Sequence, residues 1–211
     1  MINSKQQLHM CLAEEKILYL PKESQLEWIL TSDNRYKTYQ YVRLLRITEY
    51  HYNNRLKLVH KLLYAWYRRR KNILGRKLGI EMWENTVDSG FCIYHPGNIV
   101  INGKARIGKN CKLHGSNCIG NNGKSTKAPV LGDNIRLGVG AKVIGDIRLA
   151  DNITVAAGAV VIHSCLIPGA VLAGVPAKCV KVNSVVSSFL AGGYAINGGN
   201  GLEAEKISEE M

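Results

Sequence analysis

The chain has 211 residues, of which 46% are hydrophobic and 21% charged, and its formal net charge is +12. These values are typical of a globular protein with one large domain or two modest ones. No stretch reaches the roughly 18 uninterrupted apolar residues of a membrane-spanning helix. The first residues, MINSKQQLHMCLAEEK, carry charges where a signal peptide would be apolar, so we expect a cytoplasmic protein.

The six cysteines predict neither disulfides nor a metal centre. None of them forms a Cys-x-x-Cys pair, and no Cys and His positions have the spacing of zinc ligands. We therefore expect reduced cysteines and no bound metal.

The positive charge is concentrated in the first 80 residues, which carry 16 Lys and Arg against 6 Asp and Glu. Its densest run is RRRKNILGRK, residues 68–77. Such a run is most often a solvated helix face. The alternative is peripheral association with an anionic membrane or polymer. We do not expect a nucleic-acid partner.

Apolar residues recur at spacings of three and four between residues 34 and 71, which predicts a long amphipathic helix, with a break near HYNN. A shorter helix is predicted ahead of it in PKESQLEWIL, with Pro21 in its first turn. The N-terminal part, residues 1–78, is therefore predicted to be an α-helical domain. The glycine-rich C-terminal part, residues 183–211, is predicted to be a flexible tail.

After Gly79 the period changes to six. Eleven of twelve positions at this spacing are aliphatic, and the exception is Ser125. They are Ile101, Ile107, Leu113, Ile119, Ser125, Leu131, Leu137, Val143, Leu149, Val155, Val161 and Ile167. Three six-residue units make one coil of a triangular parallel β-helix, which predicts that residues 18 apart stack, as in the series Ile101, Ile119, Leu137 and Val155. The segment NNGKSTKAPV, residues 121–130, interrupts the repeat and is predicted to be a functional loop.

Three motifs accompany this repeat: IGNNGK at residues 119–124, LGVGAKVIGD at 137–146 and AGVPAK at 173–178. Together with the repeat, they resemble the hexapeptide-repeat acyltransferases, and within them the serine O-acetyltransferase family, over residues 79–181. The resemblance implies a mainly β fold, a left-handed parallel β-helix at residues 79–182 with an α-helical N-terminal region. It also implies a homotrimer and acetyl-CoA as co-substrate.

The family has a catalytic histidine before an Ile-Val-Ile sequence, and HPGNIVI matches it at His95. A neutral imidazole can accept the proton of an attacking hydroxyl near pH 7, so His95 is the candidate general base. The alternative is a turn histidine. An acid upstream would orient the imidazole. Glu81 is chosen for this role across a one-residue gap, with Asp88 as the alternative.

The resemblance also implies where the coenzyme binds. Backbone N–H groups of Gly120 and Asn121 would polarise the thioester carbonyl. Small corner residues would let the pantetheine arm approach the backbone closely, and lysines would meet the coenzyme phosphates. These candidates are Val139, Gly140, Ala157, Gly158, Lys142 and Lys178.

The acceptor site departs from the family pattern. Tyr94 replaces the family's aspartate before the catalytic histidine, and Lys127-Ala128-Pro129 replaces its Arg-His-Pro. A tyrosine suits a sugar ring, so we expect a saccharide of surface polysaccharide biosynthesis, bound by Tyr94, His114 and Lys127. Serine remains the alternative acceptor, as in cysteine biosynthesis. Outside this activity, the alternatives are a zinc hydratase and a scaffold with a polyanion-binding helical half.

Overall fold

The structure, a computed structural model, describes residues 1–20, 25–31 and 33–182. Four α-helices come first, followed by a succession of short β-strands. The helices are α1 (Lys5–Tyr19), α2 (Gln25–Leu30), α3 (Asn34–Asn53) and α4 (Leu58–Leu78). Pro21 and the predicted tail at 183–211 lie outside the described residues. No helix in the described ranges is long and apolar enough to cross a membrane.

The strands form the coils of a left-handed parallel β-helix, and the predicted fold class is therefore confirmed. The strands are β1 (Ile80–Glu81), β2 (Cys92–Ile93), β3 (Ile99–Ile101), β4 (Arg106–Ile107), β5 (Lys112–Leu113), β6 (Cys118–Gly120), β7 (Val130–Leu131), β8 (Arg136–Leu137), β9 (Lys142–Ile144), β10 (Arg148–Leu149), β11 (Thr154–Val155), β12 (Val160–Val161), β13 (Ala170–Gly174) and β14 (Ala177–Val182).

These strands line three sides of a prism. The first sheet contains β1, β3, β6, β9 and β12, the second contains β4, β7 and β10, and the third contains β2, β5, β8, β11, β13 and β14. Coil 1 runs from β1 to β2, coil 2 from β3 to β5, coil 3 from β6 to β8 and coil 4 from β9 to β11. The antiparallel β13–β14 hairpin ends the described part.

The predicted stacking is correct in part. Ile101 pairs with Ile119, and Leu137 pairs with Val155, each 18 residues along the chain. Ile119, however, pairs with Val143 and not with Leu137. The loop after β6 adds six residues to coil 3, so that Leu137 falls on the third sheet and pairs with Leu113.

Most of the hexapeptide aliphatic side chains fill the inside of the prism, where they are buried. Ile167 is an exception at 41% exposure, because Cys165 takes the place beside Leu149 in the last coil. Sharp corners between the sheets require a left-handed backbone. Asn110, Asn134 and Asn152 supply it at one corner, where their side-chain amides form a hydrogen-bonded ladder with N–O distances of 3.1 Å.

The helices pack on coil 1 through buried polar contacts. Arg46 pairs with Glu15 and Glu49 and donates hydrogen bonds to the carbonyl oxygens of Val87 at 2.8 Å and Asp88 at 2.7 Å. An isolated buried guanidinium would be costly, and these partners compensate its charge. The ion cluster therefore joins α1 and α3 to the first coil.

The predicted long helix is two helices, with a break at residues 54–57, just after the HYNN sequence. Val42 and Leu45 on α3 are buried, as their periodicity indicates. The apolar side chains of α4 are different, since Val59, Leu62 and Trp66 are 49–66% exposed. Gly79, at φ 66°, caps α4 in the left-handed conformation and starts the β-helix.

Candidate active site

His95 lies at the corner where the chain passes from the third sheet to the first. β2 ends at Ile93, and the backbone N–H of Tyr94 donates to the Leu113 carbonyl at 2.8 Å, which places Tyr94 over His114. The next residue, His95, lies against Gly115, where an added Cβ would come within 3.2 Å of the His95 Cβ. A glycine at position 115 therefore allows the His95 side chain to stand at the corner.

The His95 imidazole is exposed, and no side-chain hydrogen bond to it is present in the described ranges. An unpaired imidazole at an exposed corner can meet a substrate hydroxyl without first breaking an internal contact. Its geometry suits a general base, and that role stays a prediction.

His114 is the second imidazole of this corner. Its ring lies 4.7 Å from that of Tyr94, at an interplanar angle of 31°. Partial burial lowers the pKa of His114, and the nearby charges of His95, Arg136 and Lys112 lower it further. Both effects favour the neutral form of the His114 imidazole.

The two candidate acids do not contact His95. Glu81 lies on β1 in the first sheet, is exposed and pairs through its backbone with Val100. Asp88 lies near the second sheet, where its backbone N–H donates to the Ile107 carbonyl at 3.0 Å. Within residues 1–20, 25–31 and 33–182, no side-chain hydrogen bond or ion pair joins either carboxylate to His95. The role of Glu81 stays a prediction.

The predicted coenzyme residues at the same corner form a column below His95. The backbone N–H of Gly140 donates to the Gly115 carbonyl at 2.9 Å, and that of Gly158 donates to the Val139 carbonyl at 2.8 Å. Both glycines have positive φ, 73° and 70°. Ala157 is a further small residue of this column, whereas Val139 is larger. An extended ligand could lie close to the backbone at the small residues.

The other candidates lie elsewhere on the chain. Gly120 and Asn121 begin the loop between β6 and β7, and Lys127 ends it, at the corner between the first and second sheets. Lys127 forms an exposed ion pair with Asp146 at 2.9 Å. Lys142 lies on β9 of the first sheet and Lys178 on β14, with no pairing between these two strands. The loop and His95 thus lie at different corners of the prism.

The sequence analysis missed Asn117, a fully buried polar side chain beneath this corner. Its Oδ1 accepts from the Gly115 N–H at 3.0 Å, and its Nδ2 donates to the carbonyl oxygens of Gly138 at 2.7 Å and Ala141 at 3.2 Å. The sequence did contain an indication of this role. Asn117 is a polar residue at the inward position of its repeat unit, where other units have small or apolar residues such as Cys111 and Ala141. Asn117 therefore positions the backbone on which His114 and His95 stand.

No group of three or more His, Cys, Asp and Glu side chains that could hold a metal ion occurs in the described part of the chain. All six cysteines are free thiols.

The chain matches no known family model. It is 28% identical over 155 residues to a serine acetyltransferase of Synechococcus elongatus, covering 71% of this chain and 59% of that protein. It is 29% identical over 134 residues to a serine acetyltransferase of Staphylococcus xylosus, covering 58% of this chain and 61% of that protein. The predicted resemblance to the serine acetyltransferases is confirmed.

Solved serine acetyltransferase structures share the fold. The Neisseria gonorrhoeae enzyme in complex with serine aligns with a TM-score of 0.66 at 21% identity, covering 84% of this chain and 71% of that one. The Brucella abortus enzyme aligns with a TM-score of 0.65 at 20% identity, covering 85% and 71%. The chain spans about three fifths of the length of the curated serine acetyltransferases named above.

Proposed function

We propose that this protein is an acetyl-CoA-dependent O-acetyltransferase in which His95 is the general base. The observation that carries the proposal is the exposed His95 imidazole at the head of a column of small residues, on a fold shared with serine acetyltransferases. When bound, acetyl-CoA would supply an acetyl group activated as a thioester. The glycines at positions 140 and 158 fit a pantetheine arm, because neither carries a side chain at the corner.

The proposed proton path uses one imidazole twice. His95 accepts the proton of the acceptor hydroxyl while that oxygen forms a bond to the acetyl carbon. The bond from that carbon to sulfur then breaks, and His95 returns the proton to the departing thiolate. The products are an acetyl ester and free coenzyme A, and His95 is again neutral.

The proposed site is completed by a second chain of a homotrimer. The backbone N–H groups of Gly120 and Asn121 would donate hydrogen bonds to the carbonyl oxygen of the acetyl group as it gains negative charge. On one chain these groups lie at a different corner from His95. In such a trimer the loop of one chain would lie at the His95 corner of the next.

We propose a saccharide hydroxyl as the acceptor and serine as the second candidate. Tyr94 is half-buried and its ring packs on that of His114, so the surface beside His95 is aromatic. An amino acid as acceptor would instead require a charged residue at this position to pair with its ammonium group. Lys127, the cation retained in the loop, is paired with Asp146. The names of the relatives favour serine.

The test is release of free thiol from acetyl-CoA with serine and with a panel of mono- and oligosaccharides. We expect release that depends on a saccharide and falls at least about a hundredfold in His95→Ala, the scale of a lost general base. His163→Ala is the matched control, since His163 is an exposed histidine on a later coil, and should retain full activity. Release that depends on serine would identify the second candidate, and unchanged release in His95→Ala would contradict the base assignment.

A further inference from the structure

A pocket of about 430 Å³ opens between α4 and strands β1 and β3. This volume is within the range of small-molecule sites, roughly 300–1,000 Å³. None of the residues predicted to bind coenzyme or acceptor lines it. Glu81 does, along with Arg68, Asn72, Arg76, Trp83 and Asn98.

Trp83 forms a rigid aromatic wall of this pocket. Its indole packs on the backbone of Gly103, where an added Cβ would lie 3.0 Å from the indole Cγ. Lys71 holds the residues on either side of Trp83, since its Nζ donates to the Met82 carbonyl at 2.9 Å and to the Glu84 carboxylate at 2.7 Å. Trp83 is nevertheless 47% exposed, so part of the side chain is open to contact with a ligand.

Two guanidinium groups give the pocket its charge. The guanidinium carbon of Arg68 lies over the Trp83 ring, 5.1 Å from its centroid. Arg76 lies two helical turns further along α4, on the same face. Among the residues that the structure describes, neither Arg68 nor Arg76 forms an ion pair, whereas the ammonium of Lys71 is neutralised by Glu84. Planar guanidinium groups bind carboxylate and phosphate with two parallel hydrogen bonds.

The pocket also adjoins the candidate active site. Asn98 lines it and follows His95 by three residues, so the two Cα atoms are at most about 11 Å apart. The pocket lies beside coils 1 and 2, whereas the predicted coenzyme residues Gly140 and Gly158 follow the last strands of coils 3 and 4.

We propose that this pocket binds a saccharide unit that carries a carboxylate or phosphate group, as a part of the acceptor beyond the unit held at Tyr94. The sugar packs against the exposed part of Trp83, the anionic group pairs with Arg76, and Asn72 and Glu81 hydrogen-bond the hydroxyl groups. The assignment of the occupant as acceptor depends on the proposed acetyltransferase function. The exposed Glu81 carboxylate then acts on the sugar rather than on His95.

The test measures binding of glucuronic acid, glucose 6-phosphate and glucose to the whole chain by calorimetry, without acetyl-CoA. We expect at least one anionic sugar to bind about tenfold or more tightly than glucose, the scale of one charge-assisted hydrogen bond. Arg76→Gln should weaken that binding about tenfold. Arg70→Gln, the same change at an α4 residue that does not line the pocket, should leave it unchanged. Comparing the two anionic sugars identifies whether a carboxylate or a phosphate is preferred.

Equal affinity for glucose and the anionic sugars, absence of binding, or equal losses in Arg76→Gln and Arg70→Gln would overturn the proposal. Thiol release is measured separately, with His95→Ala as reference. Binding of an anionic sugar that is sensitive to Arg76, without thiol release on that sugar, would retain the pocket as a sugar site and reject the sugar as acceptor. If thiol release occurs with a neutral sugar and is unchanged by Arg76→Gln, the proposed acetyltransferase activity is retained and the proposed role of the pocket is overturned.

Discussion

Replacing Asn117 by alanine tests whether one buried amide holds the His95 corner. Its three hydrogen bonds join the turn at Gly115 to the next coil at Gly138 and Ala141. The two carbonyl oxygens keep other partners in the variant, because Gly138 accepts from the Ala141 N–H and Ala141 accepts from the Cys118 N–H. The Gly115 N–H, in contrast, donates only to the Asn117 side chain in the part of the chain that the structure describes.

The expected cost follows from these partners. One orphaned buried N–H costs about 1–3 kcal/mol, and losing the two remaining hydrogen bonds adds about 1 kcal/mol. We therefore expect Asn117→Ala to lower the free energy of unfolding by about 2–4 kcal/mol. Cys111→Ala, at the preceding inward position and also fully buried, removes only a thiol and should cost about 1 kcal/mol.

The assay is equilibrium unfolding in urea at a fixed protein concentration, because the stability of an oligomer depends on concentration. If the proposed function holds, thiol release should also fall in Asn117→Ala and not in Cys111→Ala. A loss below about 1 kcal/mol, or one equal to that of Cys111→Ala, would refute the argument that the amide holds the corner.

Two further predictions concern the helical region. Arg46→Met should destabilise the protein by about 3–5 kcal/mol at pH 7, because it leaves buried carboxylates without a cation. Burial already raises the pKa of Glu15, and losing Arg46 raises that pKa further, so the deficit in urea unfolding should shrink from pH 7.5 to pH 5.5. A deficit that is constant with pH would contradict this account. Separately, His51 and His60 share a hydrogen bond between their Nδ1 atoms at 2.9 Å, which requires one unprotonated nitrogen. Burial, and then the charge of His60, lowers the pKa of His51, so the folded state binds fewer protons than the unfolded state and stability falls as the pH drops below about 6.5. The decrease in melting temperature between pH 7.5 and 5.5 should be smaller in His51→Phe than in the wild type, and an equal decrease would exclude the pair as its source.

In the helical region, local sequence patterns predicted some features of the structure and not others. The apolar periodicity of α3 correctly predicted that Val42 and Leu45 are buried, because helix periodicity indicates which face of the helix packs against a core. Helix α1 was not predicted, although Ser4 and Gln7 form a capping box at its start. The same apolar periodicity on α4 gives an exposed face, since periodicity identifies an apolar face and does not identify what covers it.

The repeat of six by itself determined the fold of the second half, because each unit must place its aliphatic side chain inside the same prism. The HPGNIVI sequence likewise determined the candidate base, His95. Tertiary structure decided which coils become neighbours. Six extra residues in one loop moved Leu137 from Ile119 to Leu113.

Tertiary structure also decided which functional groups meet. Residues adjacent in the sequence share a corner, so Tyr94 and His95 were found together. Asn117, which bonds the Gly115 turn against which His95 lies, comes from later in the sequence, and its contacts with Gly138 and Ala141 were formed only by coil stacking. Spacing along the chain reports the path of the backbone around one coil, whereas contacts between coils depend on every insertion that lies between them.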